Sequence, residues 1–318
     1  MKENNLTAGP EPDIKTFFNF PLLRDFENFN AHIAILGLPH GNPYTEDEAF
    51  NDQSNAPTAI RLASQWACRA HDRWDFDLGG TLFNGQDIRA VDCGDIAFDP
   101  ENVHAHFEHA ESLARTIISA GAIPICLGGD HGVPIPIFRA FDDHGPIHLI
   151  QLDAHIDWRD HRNGIREGYS STIRRASELS HIDRIFQIGL RSQGSAREEE
   201  FNAARDYGAQ LITAAELHDK GAGAILEKIP DAGKYYITID ADGLDPSVMP
   251  AVAGPAPGGI TYHQACKLIC GLVSKGRVVG MDIVEITPSR DLNDISSITA
   301  GRLIANLIGS AVRAGYFK

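Results

Sequence analysis

The sequence predicts an α/β fold in which helices cover both faces of a parallel sheet, and three features carry that reading. Short apolar runs alternate with segments of helical spacing. The runs are mostly continuous rather than alternating with polar residues, as strands buried on both faces require. No linker, repeat or low-complexity stretch interrupts them, so residues 31–318 read as one domain behind an amino-terminal arm, 1–30.

In chain order, the arm carries Pro10, Pro12 and five unpatterned phenylalanines (Phe17, Phe18, Phe20, Phe26, Phe29), which suits packing on the body or on a neighbouring subunit. Strands are expected at His32–Leu38, Ile88–Asp92, Ile123–Leu127, Ile147–Leu152, Arg184–Gly189, Ala209–Ile212, Tyr235–Asp240 and Val278–Val284. Val103–Ala120 repeats apolar residues at helical spacing, through Phe107, Ala110, Leu113, Ala114, Ile117 and Ile118. Ser170–Ser180, Arg197–Tyr207, Ala214–Lys228, Tyr262–Lys275 and Ile295–Ala314 read the same way. His71, His148, His263, Trp66, Trp74 and Met281 read as structural or packing residues.

The chain has 318 residues, 28 Lys+Arg against 43 Asp+Glu, and a formal charge of −15. That balance argues against binding nucleic acid through phosphate neutralisation and suits a cationic small molecule. No apolar run of bilayer length and no signal peptide stands out, so a cytoplasmic protein without membrane contact is expected. The cysteines at 68, 93, 126, 266 and 270 make no CxxC pair and no disulfide scaffold, and Cys266 and Cys270, one helical turn apart, read as buried core thiols.

In open α/β sheets ligands bind beyond the carboxyl ends of the strands, and metal-type side chains concentrate there. Ile123–Leu127 runs into Gly128-Gly129-Asp130-His131, and Ile147–Leu152 into Asp153-Ala154-His155-Ile156-Asp157. Tyr235–Ile239 runs into Asp240-Ala241-Asp242-Gly243-Leu244-Asp245-Pro246, and Val278–Val284 into Glu285. Residues two apart on extended backbone project to the same side, so Asp153, His155 and Asp157 can converge, as can Asp240 and Asp242. With His131 they offer two imidazoles and four carboxylates, which suits a pair of borderline divalent ions. Such a pair can hold a bridging hydroxide at neutral pH and polarise an electrophilic carbon. Four aspartates, two divalent ions and a hydroxide sum to about −1, and Glu285 adds to this, which favours a cationic substrate group.

At these residues the chain resembles the ureohydrolases, the family of arginase, agmatinase and guanidinobutyrase. GGDH (Gly128–His131), DAHID (Asp153–Asp157) and DADGLDP (Asp240–Pro246) resemble its three metal motifs in order. Gly254–Thr261 and Met281–Glu285 resemble the segments that follow. The resemblance implies a three-layer α/β/α domain on an eight-stranded parallel sheet, assembled into trimers or hexamers, with a related subunit as one option. It implies His131, Asp153, His155, Asp157, Asp240 and Asp242 as ligands of two Ni²⁺ or Mn²⁺ ions. Asp157 would also orient the bridging hydroxide, and Glu285 would receive the guanidinium N–H groups.

Three departures qualify the resemblance. The family's His-Gly pair, thought to shuttle a proton to the leaving amine, is absent from Gly168-Tyr169-Ser170-Ser171-Thr172; His161 is the candidate substitute. Ser192-Gln193-Gly194-Ser195 carries no carboxylate for an α-amino group, which speaks against free arginine. The loop His40–Glu48 is also atypical, making His40 and its acidic neighbours candidate substrate contacts, while Trp158 can wall the pocket or pack. The leading expectation is therefore an amidinohydrolase of an atypical guanidine, such as a biguanide (metformin to guanylurea and dimethylamine). Agmatinase or guanidinobutyrase activity releasing urea is one alternative, and a non-catalytic subunit of a hetero-oligomer is another. A deacetylase-like hydrolase would need a paired His-His motif, which the sequence lacks.

Overall fold

The computed structural model describes residues 15–317 apart from Asn28 and Pro100. Eight parallel strands form one sheet: β1 (Ile33–Leu38), β2 (Ala90–Asp95), β3 (Ile123–Gly128), β4 (Ile147–Leu152), β5 (Ile182–Leu190), β6 (Gln210–Thr213), β7 (Lys234–Asp240) and β8 (Arg277–Val284). Their spatial order is β2-β1-β3-β8-β7-β4-β5-β6. The helices are α1 (Ala56–Ala67), α2 (Val103–Ser119), α3 (Pro134–Arg139), α4 (Thr172–Ala176), α5 (Glu198–Tyr207), α6 (Ala214–Leu226), α7 (Tyr262–Lys275) and α8 (Ile295–Arg313).

Successive strand residues point to opposite faces, and β1 shows the result. Ile33 and Ile35 join a core with α1, α6, α7 and α8, whereas Ala34, Leu36 and Leu38 join a second core with α2, α3, α4 and α5. The expected three-layer α/β/α fold is thus what the chain adopts.

All eight expected strands form, with ends shifted by a few residues. Two helices escaped the pattern. The buried face of α1 is built from Ala56, Pro57, Ile60, Arg61, Ala63, Ser64 and Ala67, so small and polar residues hide its period. In α3, Pro134 and Pro136 look like loop residues, yet both occupy the first turn, where the missing N–H is not required.

Phe17, Phe18 and Phe20 are buried against the α1 side of the core. Asp92 Oδ2 accepts the N–H of Phe17 at 2.8 Å, and Ser64 Oγ accepts that of Phe18 at 2.9 Å. This part of the expected arm therefore packs on the body; Pro10 and Pro12 lie outside the described residues. The expectation of no bilayer-length apolar stretch needs correction: Leu292–Arg313, which contains α8, is long and apolar enough, though mostly buried in the fold. Trp66 and Trp74 are not packing residues, being 62% and 63% exposed beside the exposed Phe76. Cys68, Cys266 and Cys270 are only half-buried.

Candidate metal centre

Two glycines let the strand ends crowd together. A Cβ on Gly129 would sit 2.7 Å from the carbonyl oxygen of Pro39, so only glycine lets β3 turn beneath the loop after β1 and present Asp130-His131. A Cβ on Gly243 would lie 2.6 Å from the backbone N of Asp153, so the loop after β7 can press against the end of β4. Asp157 and Glu285 adopt positive φ, +45° and +65°, which is uncommon for residues with a side chain and concentrates where function needs it.

His131 Nδ1 lies 2.9 Å from Asp157 Oδ2 and 3.2 Å from both Asp153 Oδ2 and Asp240 Oδ2. A second group joins Asp153, His155 and Asp242, with His155 Nδ1 3.1 Å from Asp242 Oδ2 and 3.6 Å from Asp153 Oδ1. Asp153 belongs to both. The structure thus brings together all six residues that the sequence nominated.

Electrostatics explain why a cation fits. Burial, reinforced by Asp157 and Asp242, pushes the Asp153 carboxyl up to about 8. Burial with Asp242 and Asp153 nearby raises Asp240 well above the carboxylate range. The hydrogen bond to Asp242 leads in raising His155 to about 10, against the opposing effect of burial. Burial works against a charged His131, but its three carboxylate neighbours outweigh it and raise the imidazole.

A direct test of fit is the ring of His131. Its Nε2 lies 3.0 Å from Thr238 Oγ1, and that hydroxyl donates to Asp282 Oδ1 at 2.7 Å. The hydroxyl proton being committed, Nε2–H donates to Thr238, which leaves Nδ1 as the nitrogen that a cation would take in exchange for a proton. Nδ1 is buried without a hydrogen-bond partner, facing three carboxylate oxygens. A nitrogen lone pair converging with carboxylates is a cation's donor set.

Glu285 stands over this group. Its Oε1 accepts the backbone N–H of His131 at 2.8 Å, and Oε2 accepts Gln53 Nε2 at 3.1 Å. Burial, then Asp240 and Asp130, raise its carboxyl well above the usual range. Tyr169 donates to Glu48 Oε1 at 3.4 Å and accepts from Arg162 Nη1 at 2.9 Å, which ties the loop after β4 to the loop after β1. Beside the centre a cavity of about 430 Å³ is lined by His155, Asp157, Leu190, Phe201 and others.

The remaining nominated residues are not part of the cluster. His161 is exposed, and among the described residues no hydrogen bond or ion pair joins it to the ligand set. Trp158 is 2% exposed and packs 5.5 Å from the ring of Tyr207, and it lines the cavity with Asp157. The His40 ring stacks on Phe98 at 3.8 Å, and its carbonyl accepts His106 Nε2 at 2.6 Å, so it is engaged in packing. Sequence reasoning missed Gln53, Thr238, Asp282 and Gln151, whose Nε2 lies 2.5 Å from Asp153 Oδ2. For Thr238, Asp282 and Gln151 the available signal was a polar residue within a largely apolar strand; Gln53 lies in the turn Asp52–Asn55, which offered none.

Residues 31–309 match the model of the arginase family. The chain belongs to that family. It is 33% identical over 227 residues to guanidinobutyrase of Pseudomonas aeruginosa, covering 70% of each chain. It is 30% identical over 298 residues to agmatinase of Serratia proteamaculans, covering 90% of each. Among solved structures it is similar to proclavaminate amidino hydrolase from Streptomyces clavuligerus, with a TM-score of 0.82 and 28% identity over 95% of this chain and 98% of that one. This arginase-family chain is accordingly a metal-dependent hydrolase of amidino C–N bonds, with two candidate metal-binding groups at its strand ends.

Proposed function

We propose that this arginase-family chain hydrolyses the guanidino group of a small cationic guanidine, of the agmatine or guanidinobutyrate kind, to urea and an amine. The observation that carries the reading is the bond from His131 N–H to Glu285, which fixes a carboxylate fork directly over the ligand group. Each Glu285 oxygen keeps a lone pair for a guanidinium N–H. Two divalent cations, manganese or nickel, would activate a water as nucleophile and polarise the guanidinium carbon. His131, Asp153, Asp157 and Asp240 would hold one, and Asp153, His155 and Asp242 the other, with Asp157 also orienting the nucleophile. Glu285 orients the planar cation, and water's oxygen forms the new bond to carbon while the C–N bond to the amine breaks.

Asp130 adds negative charge beside Glu285, and Glu48 lies near Asp130 in turn, which supports a substrate with a second cationic group and so agmatine over guanidinobutyrate. The names of the relatives point to these two compounds rather than to a biguanide. The two complete ligand groups speak against a non-catalytic subunit. We place the chain in the cytoplasm, supported by its five free thiols. Oligomeric assembly is part of the same proposal, supported by the exposed aromatics Trp66, Trp74 and Phe76.

The test is urea and amine release from agmatine, guanidinobutyrate, arginine, guanidine and metformin by protein loaded in turn with manganese and nickel. Urea and putrescine from agmatine are expected. Guanylurea and dimethylamine from metformin would replace this substrate with the biguanide. Two bound ions without any product would favour the non-catalytic subunit.

A further inference from the structure

We propose that a buried polar row across the sheet, one layer beneath the ligands, positions them through two separate branches, one serving a single cation and the other both. The inference rests on the two-cation reading above. The row consists of neighbours in register: Asp282 on β8 is opposite Thr238 on β7, Thr238 is opposite Gln151 on β4, and Gln151 is opposite Gln187 on β5. All four are fully buried. Asp153 and Asp240 lie two residues beyond Gln151 and Thr238, so they project from the same face one layer higher.

The first branch runs from Asp282 Oδ1 through the Thr238 hydroxyl, at 2.7 Å, to His131 Nε2 at 3.0 Å. It fixes the ring orientation and tautomer that leave Nδ1 for a cation, and His131 belongs to only one of the two groups. The second branch runs from Gln187 Nε2 to Gln151 Oε1, and from Gln151 Nε2 to Asp153 Oδ2 at 2.5 Å. Gln187 is itself anchored by donating to the Ile156 carbonyl at 2.8 Å. Asp153 is common to both groups, so this branch serves both cations.

The row is a poor device for stability. Asp282 Oδ2 and Gln187 Oε1 are buried without a hydrogen-bond partner. A partly satisfied polar network is less favourable than apolar packing, and the flanking positions Met281, Ile283, Ile237, Ile239, Ile150, Leu152, Phe186 and Ile188 are all apolar core. Holding the ligands in one geometry accounts for polar residues at these four positions.

The experiment is Mn²⁺ binding by the full chain, measured by competition with a chromophoric chelator and by the electron paramagnetic resonance signal of the coupled pair. Thr238→Val is expected to weaken one ion about 10–100-fold, leave the other unchanged and abolish the coupled-pair signal at limiting metal. Thr238→Ser restores both. Gln151→Leu is expected to weaken both ions, while the metal-free Tm of each apolar variant stays equal to or above that of the parent. Wild-type affinity for both ions in Thr238→Val and Gln151→Leu would overturn the proposal. So would a fall in metal-free Tm that accounts for the weakened binding, because the row would then be structural. If Thr238→Val does not fold, the Gln151→Leu and Thr238→Ser arms decide by the same criteria. Failure of the parent protein to bind two ions would overturn the two-cation reading itself, and is recognised because it appears before any substitution.

Discussion

The carboxylate of Glu285 accepts the backbone N–H of His131 at 2.8 Å, so the group placed to hold a guanidinium and the first nominated metal ligand form one unit. Glu285→Gln keeps an oxygen for that N–H but removes the negative charge. We expect it to bind two metal ions with parental affinity while kcat/KM falls roughly 10²-fold, the loss of a charge-assisted interaction. Metal analysis beside steady-state kinetics checks both halves. Loss of metal together with activity would assign Glu285 to the metal centre instead.

Metal binding should release protons. Asp153, pushed up to about 8 mainly by burial, holds its proton below that pH in the metal-free chain, and a divalent cation must displace it. Apparent affinity is therefore expected to rise with pH through about 8, where Asp153 gives up its proton, and on toward about 10, where His155 does, by roughly tenfold per pH unit for each proton displaced. Calorimetry in buffers of different ionisation heat would count the protons, and a pH-independent affinity from 6 to 8 would contradict the expectation.

Arg61 and Asp92 make a buried bidentate pair, Nε to Oδ2 at 2.9 Å and Nη2 to Oδ1 at 3.0 Å. Arg61 also pairs with Asp95, and Asp92 accepts the N–H groups of Phe17 and Gly94. Replacing Arg61 by leucine leaves a buried, partly unpaired carboxylate at the point where the segment 15–20 is tied down. A loss of about 3–5 kcal/mol is expected from denaturant unfolding.

His161→Gln is expected to change kcat by less than about twofold, because an exposed loop side chain outside the ligand cluster has little differential contact with a transition state. A large loss in kcat with the KM unchanged would show that this loop closes on the substrate and carries the proton shuttle the sequence suggested.

The strands and the ligand set were legible because both follow from short-range rules. Continuous apolar runs mark buried strands, and alternate positions such as Asp153 and His155 mark a shared side. α1 was hidden because Arg61 and Ser64 occupy its buried face, where the pairing partner lies on β2, 31 residues away. Thr238, Gln151 and Asp282 were hidden for a related reason: each sits among apolar neighbours within its strand, and their meaning comes from cross-strand register, which no single segment contains. His40 and Trp158 were nominated by nearness along the chain, and their rings also pack on Phe98 and Tyr207, contacts that no single segment reveals.

The position of β8 has a consequence for how the molecule is made on the ribosome. It is the last strand along the chain, yet in space it separates β3 from β7. As the chain emerges, β1, β2 and β3 can assemble as one sheet fragment and β4, β5, β6 and β7 as another, with nothing to join them until residues 277–284 appear. His131 belongs to the first fragment and the aspartates to the second, and Glu285 follows the joining strand. No unfinished chain holds His131 against Asp153, Asp157 and Asp240, so that group is completed only once translation has passed the final strand, whereas Asp153, His155 and Asp242 lie wholly within the second fragment.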